Sequence, residues 1–157
     1  MKGKHLAWAL VALSLLALLA QADRARDRIG ADLALRAVEL GTQRMLAAGR
    51  ANPVILRRHV RWLDEAARAD PAEGALPLAE GAQYLLWRRP EEAIEAYRRA
   101  LALEVRPETY LNLGRAQHLA GDEAAAQDSF GKAVLLAPQL RAQVPQPYRR
   151  RLTRRAR

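Results

Sequence analysis

The chain contains no cysteine and a single phenylalanine among its 157 residues. The first absence excludes a disulfide framework, a thiolate metal site and a cysteine nucleophile. The second, set beside 33 Ala and 26 Leu, makes a β-rich fold a poor expectation and predicts an all-α protein built from small, straight side chains. A spread excess of one charge is lacking too, although the formal net charge is +9. Lys2 and Lys4 supply two of these charges and the last nine residues supply six, so residues 5–148 carry 18 basic against 17 acidic groups. A near-neutral body with a basic tag at each end is not the footprint of a nucleic-acid face, and nucleic acid is not an expected partner.

Familiar chemical patterns are also missing. No G-x-x-x-x-G-K-[ST], G-x-G-x-x-G or G-x-S-x-G occurs, which leaves phosphate cradling and a nucleophile elbow unsupported. His5, His59 and His118 stand far apart and outside any H-E-x-x-H arrangement. No catalytic residue, metal ligand or cofactor is therefore expected. Glu91, Glu92 and Glu95 form an acidic group, but they open a helix, where carboxylates favour the positive end of the dipole.

What is present begins with a targeting pattern. Basic residues Lys2 and Lys4 precede the uncharged run Leu6 to Ala22, followed by Asp23-Arg24-Ala25-Arg26-Asp27-Arg28. As a helix this run spans roughly 25 Å, the lower edge of what crosses a hydrocarbon core. Ala20-Gln21-Ala22 fits a signal-peptidase site, and the absence of Pro or Gly between Leu6 and Ile29 fits an uncleaved anchor. Both readings send the remainder across the membrane, because Lys2 and Lys4 hold the start on the cytoplasmic side. The Ala/Arg composition and the compact signal read as a bacterial envelope protein. Two locations follow: single-pass in the inner membrane with the body facing the periplasm, or soluble in the periplasm after cleavage behind Ala22.

The body repeats. Gly81 and Gly114, Ala93 and Ala126, Tyr97 and Phe130, and Ala100 and Ala133 each stand 33 residues apart. Helices are predicted over roughly 75–88 and 91–104, then 108–120 and 123–137, broken at Arg89-Pro90 and Gly121-Asp122 and closed by Pro138. Small residues are needed where two helices of a hairpin approach within about 8–10 Å, with an aromatic ring of the second helix filling the space beside them.

These residues resemble the tetratricopeptide repeat (TPR) family. Tyr110-Leu111-Asn112-Leu113-Gly114-Arg115-Ala116-Gln117, with Ala126, Phe130, Ala133 and Pro138, follows the family pattern W-x2-L-G-x2-Y, A, F, A, P, departing at Gln117, where Tyr is usual. The preceding unit matches at Gly81, Tyr84, Ala93, Tyr97 and Ala100 but has Pro77 and Glu80 where an aromatic and Leu are typical. A third, degenerate hairpin is expected before them. Residues 29–48 place Leu35, Val38, Thr42, Met45 and Leu46 on one helical face. After a break at Gly49 to Pro53, residues 53–69 place Leu56, Val60, Leu63 and Ala67 on a stripe beside Ile55, Trp62 and Ala66, ending at Asp70-Pro71. Its other signature positions are not recoverable. The organisation read from these marks is a signal or anchor over 1–22, a degenerate hairpin over 23–71, repeat units over 72–106 and 107–140, and a basic tail over 141–157. The fold expected is a short TPR-like solenoid of stacked antiparallel hairpins preceded by one hydrophobic helix.

The resemblance implies a non-enzymatic adaptor or scaffold whose groove accepts a peptide or helix of a protein partner. Carried over by position, that groove would be lined by Ala75, Leu78, Ala79, Ala82, Leu85 and Leu86 in one unit. In the next, Glu108, Leu111, Asn112, Arg115, His118 and Leu119 would line it. Leucines at this spacing equally serve to pack neighbouring hairpins. Beyond Pro138, Pro145 and Pro147 argue against a long capping helix, so an exposed edge near Val134 and Leu135, suited to a homodimer, is expected. Arg149, Arg150, Arg151, Arg154, Arg155 and Arg157 form a tail able to meet anionic lipid. A membrane-surface protein gripping lipid through that tail, or an accessory subunit of an envelope enzyme, are the alternatives to the adaptor.

Overall fold

The computed structural model describes residues 2–49 and 51–155, with side chains described from residue 12 to residue 152 except at 50. Among the described residues there is no strand, and seven α-helices and one 3₁₀ segment follow one another. Helix α1 is Lys2–Ala47, α2 Pro53–Ala69, α3 Ala75–Leu86, α4 Pro90–Leu103, α5 Pro107–Leu119, α6 Glu123–Leu136 and α7 Gln146–Arg155, with the 3₁₀ segment Pro138–Gln143 before α7. Successive helices pack as antiparallel neighbours, α1 on α2, α3 on α4 and α5 on α6, with α2–α3 and α4–α5 joining the hairpins. This is the all-α stack of hairpins that the repeat predicts.

Helix α1 runs through the place where composition changes at residue 22. Neither Gly30 nor Gly41 breaks it, and at 1.5 Å per residue it is about 69 Å long. Side chains from Ala12 to Gly30 are exposed apart from a half-buried Asp27; burial then recurs at Ala31, Val38 and Met45, seven residues apart, where the helix meets α2 and α3. Among the described residues no helix is long and apolar enough to cross a membrane. The side chains of residues 6–11, which open the apolar run expected to be an anchor or signal, lie outside the described residues.

A shared close approach builds each hairpin. A β-carbon placed on Gly81 would lie 2.6 Å from Tyr97 Cε1, and one on Gly114 would lie 2.7 Å from Phe130 Cδ1. Real atoms do not approach so closely, so each ring occupies space that only glycine leaves open. The same contact occurs in the first hairpin, where a β-carbon on Gly41 would lie 2.5 Å from His59 Nε2. The signature thought unrecoverable there is therefore Gly41 with His59. An imidazole stands for the phenyl ring, and a glycine-to-ring spacing of 18 replaces 16, which hides the pair from a strict period. His59 is 1% exposed, and its Nδ1 lies 3.0 Å from Gln83 Oε1, while Gln83 Nε2 donates to Thr42 Oγ1 at 3.2 Å. Burying this polar ring is tolerable because Gln83 of α3 partners it and is itself held by Thr42 of α1. Trp62 and Leu46, expected on apolar faces, are instead 37% and 54% exposed.

The turns are as regular as the pairs. Arg89 N–H donates to the Tyr84 carbonyl at 2.9 Å, and Asp122 N–H donates to the Gln117 carbonyl at 2.9 Å. Each closes a Schellman turn whose middle residue is left-handed, Arg88 at φ 59° and Gly121 at φ 87°. Pro53, Pro90 and Pro107 start α2, α4 and α5, where a missing N–H is of no consequence. Pro77, unusual for the family, falls in the first turn of α3 and is tolerated for the same reason.

The far end corrects the expectation that no helix caps the stack. Leu140, Val144 and Tyr148 join Leu111, Ala126, Phe130 and Ala133 in one buried cluster, with Val134 and Leu152 packed beside it. The Tyr148 ring lies 4.9 Å from Phe130 and edge-on to His118, and its hydroxyl is 2.8 Å from His118 Nδ1. Pro145 and Pro147 do not prevent this cap. Pro145 precedes α7, and Pro147 sits in its first turn, before hydrogen bonding begins. Val134 packs under this cap, whereas Leu135 and Leu136 remain 81% and 51% exposed, so the cap covers the expected edge only in part.

Candidate partner-binding surfaces

The residues that the resemblance implies for a groove divide into two groups. Leu111 is 2% exposed and lies in the cluster around Phe130, so it is a packing residue and cannot line a groove. Leu78 and Leu85 are half-buried against Ala93, Tyr97, Leu113 and Ala116, which places most of their surface between hairpins. The rest reach solvent. Ala75, Ala79, Ala82 and Leu86 on α3 are half-buried, Asn112 and Arg115 on α5 are half-buried, and Glu108, His118 and Leu119 are exposed. Arg115 Nη1 donates to Asn112 Oδ1 at 2.8 Å and Nη2 reaches Gln143 Oε1 at 3.5 Å, which orients the guanidinium along α5. His118 is engaged by Tyr148, so it both borders this surface and holds the cap.

The arginines of the terminal segment are not equivalent. Arg149 donates to the Val144 carbonyl at 3.1 Å from Nε and to the Ala142 carbonyl at 2.7 Å from Nη2, tying α7 to the segment before it. Arg150 and Arg151 are exposed, the latter 3.8 Å from Glu123. The side chains of Arg154, Arg155 and Arg157 lie outside the described residues. A helical cap with one structural arginine thus replaces a uniform solvated tail over the described part.

A second surface escaped the sequence analysis. Between α2 and α4, with α3 as its floor, lies a cleft of about 890 Å³ lined by Arg57, Arg61, Arg89, Arg99, Tyr84 and Trp87. Tyr84 and Trp87 stack with planes 3° apart, and Arg89 and Arg57 lie 4.9 and 5.7 Å over the Trp87 ring. At the floor Glu80, 5% exposed, accepts from Arg99 Nη2 at 2.8 Å. Burial pushes its carboxyl above the ordinary value of 4.5, against the opposing pull of Arg99. The signals that could have revealed the cleft were two: Arg57 and Arg61 one turn apart on α2, and Glu80 at the place where the next unit has Leu113. Tyr97 is buried with its hydroxyl unpartnered, and desolvation raises its pKa strongly. Among the described residues no cluster of three His, Asp or Glu is placed to hold a metal ion.

Three stacked hairpins, each closed on a glycine by a ring of its second helix, define a helical-repeat protein. A family model described as tetratricopeptide repeat matches residues 107–140, so the α5–α6 hairpin is a tetratricopeptide repeat, and the glycine–ring contacts of the two hairpins before it follow the same plan. None of the curated proteins compared matches the chain. The repeat places the chain among proteins whose usual role is protein–protein interaction.

Proposed function

We propose that the chain is a non-enzymatic adaptor of the bacterial cell envelope that receives a peptide or helix of a protein partner on the surface formed by α3 and α5. The observation that supports this reading most directly is the repeat match at 107–140, because the first helix of that hairpin carries Glu108, Asn112, Arg115 and Leu119 at the surface. With Ala82 and Leu86 alongside, the surface pairs small apolar patches with one oriented guanidinium, a combination suited to an amphipathic segment. The apolar run from Leu6 to Ala22 supports an anchor in the inner membrane with the hairpins in the periplasm, or export followed by cleavage behind Ala22. A lipid-gripping role for the terminal arginines is the second reading, favoured by the exposure of Arg150 and Arg151.

Cross-linking of the tagged full-length protein in cells, followed by mass spectrometry, tests the adaptor. Leu119→Glu with Arg115→Glu serves as the folded control, since both side chains reach solvent. A partner captured by the native chain and lost from the control supports the α3–α5 surface. The same proteins captured by both, or none by either, overturns it. Arg150→Glu with Arg151→Glu, both exposed and outside the buried cluster, separates the two readings if membrane association falls while the captured partner is spared.

A further inference from the structure

We propose that the cleft between α2 and α4 is a second docking site, one that takes an acidic, aromatic-containing segment of a partner protein. It is independent of the α3–α5 surface and lies at the junction of the first two hairpins.

Charge is the first argument. Arg99 is committed to Glu80, Arg89 to Glu92, and Asp64 at the cleft wall is committed to Arg68. Arg57 and Arg61 are left without an ion-pair partner among the described residues. They stand one helical turn apart, about 6 Å between β-carbons, so they fit two carboxylates carried close together on one chain.

Substitution within the repeat is the second argument. Thirty-three residues on, the positions of Glu80, Trp87, Arg89 and Arg99 are held by Leu113, Ala120, Asp122 and Lys132. The hairpin needs none of the cleft's features, since the second unit closes the same turn and the same glycine–ring contact without them. Glu80 is as buried as Leu113, each 5% exposed, yet it spends that burial on orienting Arg99.

The shape of the site selects among anions. At the floor Arg99 is already taken by Glu80 and offers little to a compact anion that would seat deeply, whereas a segment crossing the rim meets Arg57 and Arg61 first. A flat bilayer reaches the rim but not the half-buried Tyr84 and Trp87 pair. A peptide presents carboxylates to the guanidiniums and one aromatic side chain to the stacked rings.

The test uses the full-length protein and a fluorescein-labelled decapeptide of glutamates flanking a single phenylalanine, compared with its glutamine counterpart by anisotropy. The native chain is expected to bind the glutamate peptide at least ~10-fold more tightly than the glutamine one, with affinity falling as salt rises. Arg57→Glu with Arg61→Glu is expected to remove that preference, while Arg36→Glu with Arg98→Glu, the same charge change at exposed positions outside the cleft, keeps it. Circular dichroism confirms that each variant is folded, and Arg57→Gln with Arg61→Gln serves if the charge reversal is not. Equal binding by native and cleft variants assigns the interaction to the terminal arginines and overturns the proposal. So does the absence of binding by the native chain. Vesicles of anionic phospholipid bound by the native chain and released by the cleft variant, with no peptide preference, would make the cleft a membrane contact and overturn it as well.

Discussion

The hairpin α3–α4 and the hairpin α5–α6 share a scaffold and differ along one seam. Gly81 and Gly114, Tyr97 and Phe130, Ala93 and Ala126, Ala100 and Ala133 do equivalent work in the interior. The differences fall at Glu80 against Leu113, Trp87 against Ala120, Arg88 against Gly121 and Arg89 against Asp122. At the turn, Asp122 accepts from Ala125 N–H at 3.0 Å and caps α6, whereas Arg89 caps nothing and lies on the Trp87 ring. The second unit is thus closer to what local stability favours, and the first departs from it where its side chains surround a cleft. Packing positions tolerate little change, because close-packed interiors have no spare volume. Positions on a seam between hairpins are free to carry binding chemistry at modest cost.

Substitutions can break or sharpen this contrast. Phe130→Ala should cost about 3–5 kcal/mol in chemical denaturation, since it empties the space that joins α5, α6 and the Tyr148 cap. A loss well below that range would mean that the last hairpin is not the anchor of the stack. Gly41→Ala should cost about 1–3 kcal/mol, because His59 is held by Gln83 and cannot swing aside. Gly30→Ala, where an added β-carbon meets nothing within 4 Å, should instead be neutral or stabilising. Equal midpoints for the two variants would remove the first hairpin from the comparison.

Making the first unit resemble the second should stabilise it. Tyr97→Phe deletes a buried hydroxyl that has no partner and should raise stability by about 1 kcal/mol. Arg88→Gly relieves the left-handed backbone of an exposed arginine and should add about 0.5–1 kcal/mol by the same measurement. The smallest effect concerns pH. Glu80 holds its proton more tightly folded than unfolded, chiefly through burial, so its contribution is complete below the unfolded carboxylate value and is lost as pH rises through the folded one. Glu80→Gln should flatten the fall of stability across that acid window. An unchanged slope would show that Arg99 fully compensates the burial.

Most of the scaffold was legible because helical periodicity and turn residues are local signals. The boundaries of α3 to α6 follow from Pro90, Pro107, Gly121 and Pro138, and the glycine–ring contacts follow from a fixed 33-residue spacing. Less of the candidate sites could be read. Leu111 and Asn112 are adjacent on α5, yet one is buried in the Phe130 cluster and the other half-exposed, and spacing within a single helix does not say how deep its neighbours sit. His59 was hidden because its burial depends on Gln83 and Thr42, 24 and 17 residues away along the chain. The cap was hidden because Pro145 and Pro147 read as stops along the chain, whereas their places just before and within the first turn of α7 make them a start.

The sequence by itself determined the helical class, the hairpins of the repeat and the residues that close them, since each rests on patterns within a few turns of chain. Only the tertiary structure decided that Leu140, Val144 and Tyr148 cover the Phe130 cluster, that His59 completes the first hairpin, and that Arg57, Arg61, Arg89 and Arg99 line one cleft with Tyr84 and Trp87. Those outcomes depend on which helices become neighbours, and the free energy of burying or pairing a polar group is set by the neighbour rather than by the residue itself.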